Sequence, residues 1–206
     1  MIGDLRNYVV YDVEVAQGPE NTPGGWDNPE GMGFASAVTY SYDDDRYRFW
    51  LGPGDLQPLC QFLGDRRCVT FNGVKFDSRV LLGNDRVCLG RGITSKEGLL
   101  WHNCDLLLEY IKARFGDPDV GTAEKRLGDK AIHDGSFSLD GLSEGTFGLH
   151  KTGHGAKAPL LYQNKQYSEL LSYNLQDVRL TRKLFEFIRE HRFCVDRASR
   201  VVRITL

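Results

Sequence analysis

The sequence predicts an α/β fold, a mixed β-sheet flanked by helices on both faces, and three observations lead there. Residues 7–16, NYVVYDVEVA, are dense in β-branched and aromatic side chains with apolar positions on both faces, the pattern of a strand buried on both sides. Residues 167–191 carry the longest helical pattern in the chain. Between them, hairpin, helix, strand and helix follow in an order that suits helices packed on a sheet of mixed direction.

Taken in turn, residues 7–16 form the expected central strand. Residues 17–31, with glycines, prolines and asparagines around Trp26, read as a long loop. Residues 34–42 and 47–51 read as two strands of a hairpin closed over 43–46. A short helix is expected at 54–63, a strand at 68–71 and a helix at 76–82. In 105–115 the spacing of Leu107, Leu108, Ile111 and Phe115 is helical, with Asp105 as N-cap. The stretch 116–165 is less regular and glycine-bearing, which limits the expectation to short helices near 122–127 and 139–147. After the long helix, residues 195–206 read as a terminal strand or hairpin.

At 206 residues, 41% of them hydrophobic, the chain has the size and core material of one domain spanning 1–206. Its core is expected at about 7–191, with a C-terminal extension at 194–206. Five scattered cysteines without a C-x-x-C pair argue against disulfides and a structural zinc. Neither a basic leader nor a long apolar run is present, so no signal peptide or membrane span is expected, and a reducing, cytoplasmic setting follows. A net charge of −2 is not that of a typical nucleic-acid binder, so any basic footprint must be local. Residues 151–165, KTGHGAKAPLLYQNK, carry three lysines and no acid, and read either as a solvated loop or as such a footprint.

The chemistry lies in the acids. Asp12 and Glu14 sit two apart on the first strand, so their side chains leave one face about 7 Å apart. The pair admits two readings: an exposed strand end, or a partly buried site where a hard divalent cation relieves like-charge repulsion. On the long helix Leu170, Tyr173, Asp177, Leu180, Leu184 and Ile188 follow steps of three and four, placing Tyr173 and Asp177 on an otherwise apolar stripe. Asp177 there is either a metal ligand or the partner of an arginine at the rim. Asp77 falls on the inward side of the helix at 76–82, where it also complements the helix dipole.

Together these segments resemble the three motifs of the DEDD 3′→5′ exonucleases, the superfamily of polymerase proofreading domains. YDVEVA is similar to the first motif, D-x-E; FNGVKFD, with Asn72 ahead of Asp77, to the second; YNLQD, from Tyr173 to Asp177, to the Y-x-x-x-D of the tyrosine-type branch. Ser172 stands where the histidine-type branch would have histidine. W-x-x-P-x-x-M-G from Trp26 to Gly33, and the run from Ser138 to Pro159, are similar to stand-alone or helicase-associated relatives of the B-family polymerase exonuclease domain. The tail from Cys194 lies outside the resemblance.

The resemblance implies a ribonuclease H-like fold and a 3′→5′ exonuclease using two divalent ions, Mg²⁺ or Mn²⁺. Asp12, Glu14, Asp77 and Asp177 would be the metal ligands and Tyr173 would position the attacking water, its pKa near 10 being too high for a base. The substrate would be nucleic acid, DNA rather than RNA, entering by a single-stranded 3′ end, with a helicase or polymerase as recruiting partner. Asn72, Lys75 and Phe76 flank the second motif as candidate substrate contacts, Phe76 being equally a core residue. Lys151, His154 and Lys157 precede the last motif on a basic arm suited to phosphates. Trp26 reads either as a base-stacking residue or as packing over the sheet edge. Two rivals stay open: a ribonuclease H-like structure-specific endonuclease, and a non-catalytic nucleic-acid or protein-binding module.

Overall fold

The computed structural model describes residues 5–64, 66–84, 87–88, 92–94, 100–101, 103–116, 135–150 and 157–206. Strand β1, Tyr8–Val15, lies at the centre of a five-stranded sheet. Its antiparallel neighbour is β2, Phe34–Ser41, which continues through a tight turn into the edge strand β3, Arg46–Leu51. After helix α1, Leu56–Leu63, the chain returns as β4, Arg67–Thr70, parallel to β1, and then forms α2, Asp77–Leu82. Three short strands, β5 (Val87–Cys88), β6 (Gly92–Thr94) and β7 (Leu100–Trp101), make a separate antiparallel sheet. Strand β8, Asn103–Asp105, completes the main sheet parallel to β4 and runs directly into α3, Leu106–Phe115. The order β3-β2-β1-β4-β8 makes the sheet mixed.

Helices α4 (Leu139–Phe147), α5 (Ala158–Gln163) and α6 (Tyr167–His191) follow, and the chain closes in a hairpin of β9, Phe193–Val195, and β10, Val201–Arg203. Because side chains alternate along a strand, β1 feeds two cores. Val9, Tyr11, Val13 and Val15 pack with Leu59 and Leu63 of α1 and Val80 and Leu81 of α2. On the opposite face Val10 joins Tyr110 and Ile111 of α3, Leu142 of α4, and Val178, Leu184 and Ile188 of α6. Helices thus cover both faces, as the two-sided apolar pattern of residues 7–16 requires. Full burial of Leu184 or Ile188 contributes about 2 kcal/mol each.

One irregularity positions the site. Glu14 faces Ser36 while Val15 faces Phe34, so Ala35 is an extra residue in β2. Such a bulge bends the strand pair locally. Ala35 is fully buried and packs with Ala158 of α5 and Leu170 of α6, which seats the start of the long helix against the end of β1.

The C-terminal hairpin is part of the core. Cys194, Val202 and Ile204 pack with the α6-face cluster. Gly145 makes the close approach possible: a Cβ there would lie 2.3 Å from the backbone of Asp196. Beneath the hairpin the Asp196 carboxylate accepts hydrogen bonds from Tyr110 Oη (2.8 Å), Arg200 Nε (2.7 Å) and Arg200 N (3.0 Å), with Arg114 at 3.7 Å. Burial pushes this carboxyl up, but the bonds from Arg200 and Tyr110 outweigh it and hold it below the usual range.

Several features depart from the sequence reading. Strand β8 is three residues, Asn-Cys-Asp, too short and too poor in strand formers to show a period. Helix α5 stands where the sequence reads as a loop, because its six residues follow a glycine-bearing run. The strands β5, β6 and β7 are two or three residues long and carry no period either. The helix expected near 122–127 lies outside the described residues. The loop at 17–31 contains three short 3₁₀ turns, tied by Thr22 Oγ1 donating to Gly18 O and Asn28 Nδ2 to Pro23 O, and docked on α2 by Arg79 donating to Asp27 O. Among the described residues no helix is long and apolar enough to cross a membrane.

Candidate metal centre

Strands β1, β4 and β8 run parallel, and their carboxyl ends share one edge of the sheet, where open α/β sheets place their ligand crevices. Asp12 and Glu14 lie at that end of β1, Asn72 just beyond β4, and Asp105 at the end of β8. The long helix α6 crosses β1 and β2 on the same side as Val10, bringing Asp177 over the strand. One carboxylate oxygen from each of Asp12, Glu14 and Asp177 lies within 4.8 Å of the others. Glu14 is 7% exposed and Asp177 4%.

Asp77 approaches from α2 on the other face. It is buried, and its Oδ1 accepts the Val13 N–H at 2.7 Å, so it sits against the backbone between Asp12 and Glu14 without joining the group of three. Burial pushes its pKa up to about 7; hydrogen bonds from the Val13 and Asp77 N–H groups oppose the rise and the charges of Asp105 and Asp177 add to it. Asp105 is buried as well and accepts from Asn72 N, Val74 N, Leu107 N and Leu108 N. It caps α3, as its position before an apolar helical run predicts, and it also pins the turn ahead of Asp77, where Asn72 adopts φ +64°. Burial pushes Asp105 up to about 6 against those four N–H groups.

Tyr173, half-buried, shares the inward face of α6 with Asp177. Burial, the negative charges of Asp177, Glu14 and Asp12, and a hydrogen bond to Asp177 hold its hydroxyl far above its ordinary pKa, so it stays neutral. Asn174, fully buried, donates from Nδ2 to Asp12 Oδ2 at 2.6 Å. The sequence reading passed over this residue. The signal was present, since Leu170, Asn174, Asp177, Thr181 and Leu184 are one inward stripe.

Asp12, Glu14 and Asp77 line a cleft of about 560 Å³, with Phe71, Met32 and Phe137 among its apolar walls. A second hollow of about 340 Å³ adjoins it under the start of α4 and includes Asp177. Asn72 lines both, and Lys75 and Phe76 line the larger. Lys75 is exposed; Phe76 is half-buried against the α1/α2 core, so it serves as both core and wall. Trp26 stands at the mouth, 66% exposed, its ring 6.0 Å from that of Phe76. Lys157 is exposed at the start of α5 and lines neither hollow. Lys151 and His154 lie outside the described residues.

Three carboxylate oxygens this close form an all-oxygen donor set of the kind that suits hard cations such as Mg²⁺ or Mn²⁺. A second group, Asp140, Glu144 and His150, is more exposed, and Arg197 bridges its two carboxylates. No protein-family model and no curated protein matches this chain.

Proposed function

We propose that this chain is a Mg²⁺- or Mn²⁺-dependent 3′→5′ exonuclease of the tyrosine-type DEDD class, on a ribonuclease H-like fold, acting on a single-stranded 3′ end of DNA in preference to RNA. The observation that carries the reading is the meeting of Asp12 and Glu14 from the first strand with Asp177 from the last long helix. Carboxylates gathered out of water repel, and a divalent cation relieves that repulsion. Asp12, Glu14 and Asp177 would hold one ion and Asp12 would help to hold a second, with Asp77 acting directly or through water. When bound, such a pair supplies a water of lowered pKa and stabilises charge on the leaving 3′ oxygen.

The chain's own groups do the rest. Tyr173, kept protonated by its surroundings, orients a water molecule by hydrogen bonding and does not act as a base. Lys75, exposed at the cleft, offers positive charge to a phosphate. Trp26 and Phe76 present aromatic faces where an unpaired base can stack. Asn72 edges the cleft beside them.

Purified protein incubated with Mg²⁺ or Mn²⁺ and 5′-labelled single- and double-stranded DNA and RNA tests the reading. A ladder of shortened products that vanishes in Asp12→Ala is the expected result. Cleavage of a closed single-stranded circle would replace it with an endonuclease, and Mn²⁺ binding without any cleavage would reduce the protein to a binding module.

A further inference from the structure

Asn174 occupies a position that packing does not explain. It stands on the inward stripe of α6, one turn after Leu170 and three residues before Asp177, and has no exposed surface. Nδ2 donates to Asp12 Oδ2, whereas Oδ1, equally buried, has no hydrogen-bond partner among the described residues. Turning the amide over would set its carbonyl against the carboxylate, so the orientation is fixed by chemistry. A buried acceptor left unsatisfied disfavours the fold, and an aliphatic side chain would pack the same space without that cost. Polar groups kept against stability belong where function requires them.

Resting on the nuclease reading, we propose that Asn174 is a positioning residue for the metal centre: its amide N–H holds the Asp12 carboxylate from the helix side and fixes its rotation beside Glu14 and Asp177. A carboxylate on a strand turns about its terminal torsion with little restraint. One short bond from a buried donor narrows that freedom from the helix side, and it occupies only one of the carboxylate's several acceptor positions. A neutral donor is needed here. Lysine or arginine would grip Asp12 as firmly but would place a fixed positive charge where the cation must bind. The same bond joins β1 to α6 across 162 residues of sequence, so it registers the helix to the strand at the level of the site.

Calorimetric titration of Mn²⁺ into wild type, Asn174→Leu, Asn174→Ala and Asp12→Ala, with thermal unfolding of each metal-free protein, tests this. Asp12→Ala is expected to lose binding, and both Asn174 variants to bind about 10- to 100-fold more weakly. Metal-free Asn174→Leu is expected to melt at or above the wild-type temperature. If wild type takes up no Mn²⁺, or Asp12→Ala takes it up as well as wild type, the nuclease reading itself fails. If those two behave as expected but both Asn174 variants bind within about threefold of wild type, the positioning role alone is overturned. It is equally overturned if both variants unfold or melt well below wild type, because Asn174 is then structural support.

Discussion

Two buried carboxylates in this protein are treated in opposite ways. Asp196, with no exposed surface, is met by Tyr110, Arg200 and Arg114, and its ionised form is favoured. Asp77, 3% exposed, is pushed up chiefly by burial, which the Val13 and Asp77 N–H groups only partly oppose and the like charges of Asp105 and Asp177 reinforce, so its ionised form is disfavoured. One carboxylate is fitted to hold the hairpin against α3. The other lies beside the proposed metal centre, where burial disfavours its charge. Burial pushes both carboxyls up; what each meets inside, guanidinium and hydroxyl donors for Asp196 and backbone N–H groups with like charges for Asp77, decides which form prevails.

The comparison breaks first at the acids themselves. Asp12→Ala and Asp177→Ala are each expected to lower cleavage at least about a thousandfold, equivalent to about 4 kcal/mol of barrier, with an unchanged circular dichroism spectrum. Activity within about tenfold of wild type in either would remove the site. Asp196→Ala should do the reverse, costing about 3 kcal/mol in urea unfolding, because Tyr110 loses its acceptor and the mostly buried Arg114 its ion-pair partner, while cleavage per folded molecule stays unchanged.

Dependence on pH sharpens the contrast. Asp77 is raised from 3.8 to about 7, so between those values the folded chain keeps a proton that the unfolded chain releases. Stability of the metal-free protein should then fall as pH rises from about 4 to 7, and Asp105, raised to about 6, adds in the same direction. Asp196 has the opposite sign: its contribution is present above its unfolded value and is lost as pH falls through its depressed folded one. Melting temperatures across pH 3–8 should show Asp77→Asn with a shallower neutral-side decline and Asp196→Ala without the acid-side loss. Identical profiles for the two variants would erase the distinction. The smallest effect is expected from Gly145→Ala, about 1–2 kcal/mol read by thermal melting, since a methyl group there pushes α4 off the Asp196 backbone.

Much of this organisation was legible from period alone. Two-sided apolarity placed residues 7–16 at the centre of the sheet, and the stripe through Leu170, Leu184 and Ile188 marked the inward face of a helix whose bounds, Tyr167–His191, agree with the structure. Alternation set Asp12 and Glu14 on one face, and helical spacing set Asp177 inward. Their meeting was not legible, because it depends on how α6 crosses β1 and on the extra residue Ala35 in β2, which are tertiary facts. Asp105 shows a similar limit. Its capping of α3 is local and readable, whereas its grip on the Asn72 and Val74 amides spans a gap that no local pattern bridges. Asn174 lay in plain view between Tyr173 and Asp177, but an asparagine on an inward stripe declares a role only once its partner is known.

The bond between Asn174 and Asp12 also has a bearing on how the molecule comes into being. The two partners stand 162 residues apart in sequence, so the acidic group does not exist until α6 has been made and packed on β1. Long-range closure of this sort slows folding relative to local pairing. Ion uptake by the proposed site would then act as a clock for the docking of α6 on β1, one that a stopped-flow experiment can read.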